Sequence, residues 1–125
     1  MAAGAWQINN FPAANTQATV AVTAGTTGGQ AIRLRALQVY IGGTSAGAAT
    51  FVVRDGTTGA GTIIWEVELF NAANGGTSST ISSSDLRAIS GTLTVETTGA
   101  GGSGTQISVN AQGDLIQIGK SFADS

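Results

Sequence analysis

Glycine breaks this chain into short pieces. Of its 19 glycines, most fall in clusters at 25–29, 42–47, 56–61, 75–76 and 99–104. The runs between the clusters are rich in Val, Ile, Thr, Phe and Trp, side chains that suit a pleated, half-buried surface and lose freedom in a helix. Glycine between such runs supplies turns. No uninterrupted segment has the length and 3.6-residue periodicity of a long helix, so the expected class is all-β.

Alternation places the strands. From Thr62 to Phe70, Ile63, Trp65, Val67 and Leu69 alternate with Thr62, Ile64, Glu66 and Glu68, which predicts a strand with one apolar face. Leu93, Val95 and Thr97 against Thr92, Thr94 and Glu96 repeat the pattern, as do Ile107, Val109 and Ala111 against Ser108, Asn110 and Gln112. Val20 and Val22 mark an earlier strand, and Phe51 and Val53, opposite Thr50, Val52 and Arg54, mark another. Ile32 and Leu34 share one parity while Leu37, Val39 and Ile41 take the other, which predicts a β-bulge near Arg35 and Ala36. Leu115 to Ile118 either extends the last strand or forms a short edge strand.

Seven or eight antiparallel strands result, and their uneven lengths and irregular loops favour a single β-sandwich over a closed barrel. Jelly-roll and immunoglobulin-like orders both remain open. A chain of 125 residues is long enough for one core, burying about two-thirds of its unfolded surface. With no cysteine, burial and backbone pairing must hold it together. The sandwich is expected over residues 16–118, followed by a tail at 119–125. Residues 1–15 set Trp6, Ile8, Phe11 and Pro12 among Ala and Asn without clear alternation, and read as an extended arm that could reach roughly 50 Å.

The chemistry open to the chain is narrow. Histidine and cysteine are both absent, which removes the usual general base, the thiol nucleophile and the commonest metal ligands. Glu66 and Glu68 would share one strand face, yet they lie on the polar side with no third partner, so a solvated or ion-paired face is the expectation. Asp55-Gly56-Thr57-Thr58 lacks the spaced oxygen donors and closing Glu of a calcium loop and reads as a hairpin turn. The stretch from Gly113 to Ser121 has the wrong glycine spacing for a phosphate loop. No enzyme activity, metal or cofactor is expected.

Five Lys and Arg stand against seven Asp and Glu, and charged residues make up 10% of the chain against a usual level of about 25%. Scattered cations of that number do not make a nucleic-acid surface. No run is long and apolar enough for a membrane span, and Met1 to Gly4 does not begin like a signal peptide, so synthesis in the cytoplasm is expected. Trp65, in phase with Val67 and Leu69, is expected in the core, the other reading being a ligand-stacking position. Trp6 has little around it to bury against and is the expected anchor onto another chain, the other reading being that it folds back on its own sandwich.

Three stretches, Ile32 to Val39, Ala49 to Thr57 with its Arg54-Asp55-Gly56-Thr57 turn, and Ile63-Ile64-Trp65, resemble in order and spacing the small structural proteins of tailed bacteriophages. Gly91 to Val95 and Ile107 to Gly113 resemble the closing strands of the same proteins, and together the likeness covers about residues 17–118. It implies a β-sandwich on a virion: a decoration, or cement, protein on the outside of the head. Its partners would be the major capsid protein and itself, as a homotrimer with a closed symmetric interface. Trp6, Ile8, Phe11 and Pro12 are the candidate contacts, chosen from the arm's composition and not from a motif. The alternatives are a receptor- or glycan-binding domain of a tail or head fibre, which would carry aromatic residues on exposed loops, and a hydrolase using Glu66, Glu68 or Asp55.

Overall fold

The structure, a computed structural model, describes residues 5–13, 17–23, 30–82, 84–98 and 104–117. The expected tail at 119–125, both ends of the expected arm and most of the glycine clusters at 25–29 and 99–104 lie outside the described residues. Nine strands are present among those described: β1 (Trp6–Asn10), β2 (Thr19–Thr23), β3 (Gln30–Gly43), β4 (Gly47–Asp55), β5 (Thr62–Asn71), β6 (Gly75–Ile81), β7 (Leu86–Ala88), β8 (Thr92–Thr97) and β9 (Thr105–Gln117).

They form two antiparallel sheets, β1-β9-β3-β6 with β7 also on β3, and β2-β8-β4-β5. The pairing is nested: β4 with β5, β3 with β6, β2 with β8 and β1 with β9. That is a long hairpin rolled up on itself and closed by the β3–β9 and β4–β8 pairs, which is a jelly roll. An immunoglobulin-like sandwich would place several sequence neighbours side by side in one sheet. Here β4 and β5 are the only such pair among the described residues.

Between the sheets lies the core expected from the alternation. Ile32, Leu34, Leu37, Val39, Ile41, Phe51, Val53, Leu93, Val95, Ile107, Val109 and Ala111 are all buried, with Trp65 packed against them. The bulge is where the parity change puts it. Leu34 pairs with Gly113 and Ala36 with Gln112, leaving Arg35 as the extra, exposed residue. Both halves of β3 can therefore point their apolar side chains inward, and β9 continues unbroken to Gln117.

Three expectations need correction. A second bulge interrupts β5, where Val53 pairs with Trp65 but Arg54 with Ile63. Ile64 becomes the extra residue and packs against the core, whereas Ile63, expected inside, is 45% exposed. Next, Val52, Thr94 and Glu96 were placed on a polar outer face, yet all three are buried. The loop at 56–61 between β4 and β5 holds the two polar ones: Thr94 Oγ1 donates to the Gly56 carbonyl (2.9 Å), and the Gly59 N–H donates to Glu96 Oε1 (3.1 Å). Arg54 Nε reaches the same Glu96 oxygen at 2.6 Å, and its Nη1 donates to the Gly61 carbonyl at 3.0 Å.

The third correction concerns the expected arm. Residues 6–10 are the edge strand β1, with Trp6 opposite Gly113 and Ile8 opposite Ala111. Trp6 and Ile8 face the core side, in the alternation that the Ala- and Asn-rich surroundings conceal in the sequence.

Candidate protein interface

The topology collects four crossovers at one end of the sandwich. β1, β3 and the partners they pair with are antiparallel, so the β1–β2, β3–β4, β5–β6 and β8–β9 connections all leave from the same end. Hydrogen bonds tie them together. The Thr44 N–H donates to the Gly104 carbonyl (3.0 Å), the Asn74 N–H to the Gly43 carbonyl (2.9 Å), and Asn71 Nδ2 to the Ser45 carbonyl (3.0 Å). The Thr19 N–H donates to Asn10 Oδ1 (3.1 Å), and Gln106 Nε2 donates to the Pro12 carbonyl. Gly43 and Gly104 sit at φ +118° and +80°, and a Cβ on Gly43 would fall 2.2 Å from the Gly104 carbonyl oxygen. The close approach of two crossovers thus requires glycine there.

Two aromatic side chains rim this end. Phe11, just past β1, is 67% exposed, and Phe70, near the end of β5, is 66% exposed. An exposed phenylalanine beside hydrogen-bonded loops offers apolar area that need not be ordered on binding. Phe70 is in phase with Glu66 and Glu68, so the signal was there in the sequence, at a position easily absorbed into the strand's apolar count.

The four residues expected to form a contact are not gathered in one place. Phe11 and Pro12 lie at the crossover end. Trp6 lies at the opposite end of β1, with its ring over Gly113, and Ile8 packs on the core. Trp6 therefore takes the fold-back position that was its other reading.

The carboxylates are dispersed. Glu66 and Glu68 are exposed on β5, an edge strand, where like charges discourage pairing with a second strand edge. Asp55 accepts a hydrogen bond from the Ser90 N–H (3.0 Å). Burial pushes its carboxyl up, but hydrogen bonds from Ser90 and Ile89 outweigh this and hold it below the usual range. Asp114 receives two hydrogen bonds from Arg33, at 2.9 and 2.8 Å, which hold its carboxyl low and keep Arg33 charged. Asp85 joins this network through Arg33 (3.6 Å) and Arg87 (3.1 Å). No group of three or more acidic side chains converges in a metal-holding arrangement among the described residues.

No protein family matches the chain, and no curated protein matches it. Among solved structures, one titled "CBM4 structure and function" is similar over 81% of this chain at 7% identity with a TM-score of 0.43, and this chain spans 60% of its length. The coat protein of Tobacco streak virus is similar over 95% of this chain and 92% of its own, at 8% identity with a TM-score of 0.38. Both are β-sandwich proteins. Likenesses this distant say nothing about what this chain binds.

Proposed function

We propose that this chain is a virion structural protein, a decoration protein that binds the outside of a tailed-phage head and stabilises it by bridging capsid subunits. It acts by binding and not by catalysis, with the major capsid protein and two further copies of itself as partners. The observation that carries this reading is the crossover end, whose described residues are joined by backbone and amide hydrogen bonds and rimmed by exposed Phe11 and Phe70. The resemblance of residues 17–118 to phage structural proteins supports it. So does a surface poor in charge, which favours apolar contact and backbone pairing over ionic capture. A protein that binds the assembled lattice and not its free subunits stabilises it by mass action, repeated over every site.

Heads assembled without this chain provide the test. The purified chain should co-sediment with them saturably, and the doubly substituted Phe11→Ser/Phe70→Ser chain should lose at least about tenfold in affinity, as removal of two anchors predicts. Absence of binding by the unsubstituted chain would overturn the proposal.

A further inference from the structure

The outer face of the β1-β9-β3-β6 sheet differs in chemistry from the crossover end. Tyr40 stands on it, between Ser78 of β6 and Ser108 of β9. Its ring lies down over two glycines. A Cβ on Gly42 would come 1.9 Å from the phenol oxygen, and one on Gly76 would come within 3.1 Å of the ring. Gly42 and Gly76 are themselves a cross-strand pair, so a bare patch of backbone accepts one face of the aromatic ring and leaves the other directed away from the sheet.

The next outward row along β3, roughly 7 Å away, is Thr80, Gln38 and Asn110. All three are exposed, and their side chains have no hydrogen-bond partner among the described residues. Beyond them a groove of about 200 Å³ opens, lined by Ala36, Leu37 and Ile81 together with the amides of Gln38, Asn110 and Gln112. Neither these rows nor the groove carries a charged side chain. Of the large exposed hydrophobic residues, Ile63 and Phe70 are on β5 of the other sheet and Ile89 follows β7, while Phe11 follows β1 at the edge of this sheet, two strands from Tyr40.

This combination selects among ligands. A protein interface is centred on large apolar side chains, which the Tyr40 and Gln38 rows lack, and nucleic acid needs cations. A flat ring flanked by unspent amide and hydroxyl donors and acceptors matches a pyranose, which presents C–H groups on its face and hydroxyls around its rim. We infer that the Tyr40 face binds a neutral oligosaccharide, one sugar stacked on the ring and the next reaching the Gln38–Asn110 row and its groove. The inference does not rest on the virion reading, because it uses different residues.

Backbone and side-chain amide NMR signals of the full chain would be followed during titration with trisaccharides of glucose, mannose and N-acetylglucosamine, and with one of galacturonate as the acidic comparison. At least one neutral sugar should shift Gly42, Gly76, Gln38 and Asn110 with a Kd of about 1 mM, the affinity expected of a shallow site. Tyr40→Phe should keep binding, and Tyr40→Ala should weaken it at least about tenfold. If the alanine variant fails to fold, Gln38→Ala/Asn110→Ala, at exposed positions, should show the same loss. The proposal is overturned if no neutral sugar shifts these signals up to about 10 mM. Tighter binding of galacturonate, or binding unchanged in the Gln38→Ala/Asn110→Ala variant, would overturn it equally.

Discussion

Arg54 and Glu96 show how much one ion pair can organise. Their side chains are only 14% and 7% exposed, and together they hold the 56–61 loop against β8 through the Gly59 N–H and the Gly61 carbonyl. Removing one partner of a buried pair leaves the other charge uncompensated. Arg54→Ala should therefore cost about 3 kcal/mol in a urea titration and raise the exchange rate of the Gly59 amide. Asp114 gives a pH-dependent test. Its carboxyl titrates lower in the folded chain than its ordinary 3.8, so its contribution is complete above that value and is lost as pH falls through the folded value. Asp55, also held low, acts in the same direction. The urea midpoint should thus fall between about pH 6 and pH 3, and by less in Asp114→Asn, whose midpoint at neutral pH should already be reduced.

At the scale of the element, strand register depends on single residues. Deleting Arg35 would remove the β3 bulge and send Ile32 and Leu34 to the outer face, so the variant should not fold cooperatively by circular dichroism. Gly113 faces the same junction. A Cβ there would lie 1.9 Å from the Arg33 carbonyl oxygen and 2.6 Å from the Trp6 ring. Gly113→Ala should cost about 3 kcal/mol and loosen β1 first, visible as faster amide exchange at Gln7 and Asn9. These cases show what a sequence can reveal. The Arg35 bulge was legible because apolar residues flank it on opposite parities. The bulge at Ile64 was not, because Ile63 and Ile64 are both apolar and either could have been the inward one. β6 escaped notice because Gly75 to Ile81 pairs through its backbone and has almost no apolar face to show. Thr94 and Glu96 were misplaced because a loop distant in sequence buries them, a tertiary effect that strand periodicity does not record.

For the whole molecule, nested pairing turns a linear pattern of strands into a solid with distinct ends and faces. Alternation established the two-sheet core, but it could not distinguish a jelly roll from an immunoglobulin-like order, since both bury the same parity. Of the four candidate contacts, Phe11 and Pro12 lie at the crossover end, while Trp6 and Ile8 are held by the sandwich itself. Phe11→Ser/Phe70→Ser should leave the thermal midpoint within about 2 °C of the unsubstituted chain, because neither side chain is buried. Light scattering should give the mass of three chains for the unsubstituted protein, and a monomer would remove the trimer from the proposal. The decisive measurement is an electron cryo-microscopy reconstruction of heads saturated with the chain. The account predicts a jelly roll seated on the lattice by its crossover end, with Phe11 and Phe70 in contact with capsid subunits and the Tyr40 face free. Density seated on the opposite end, or no bound density at all, would contradict it.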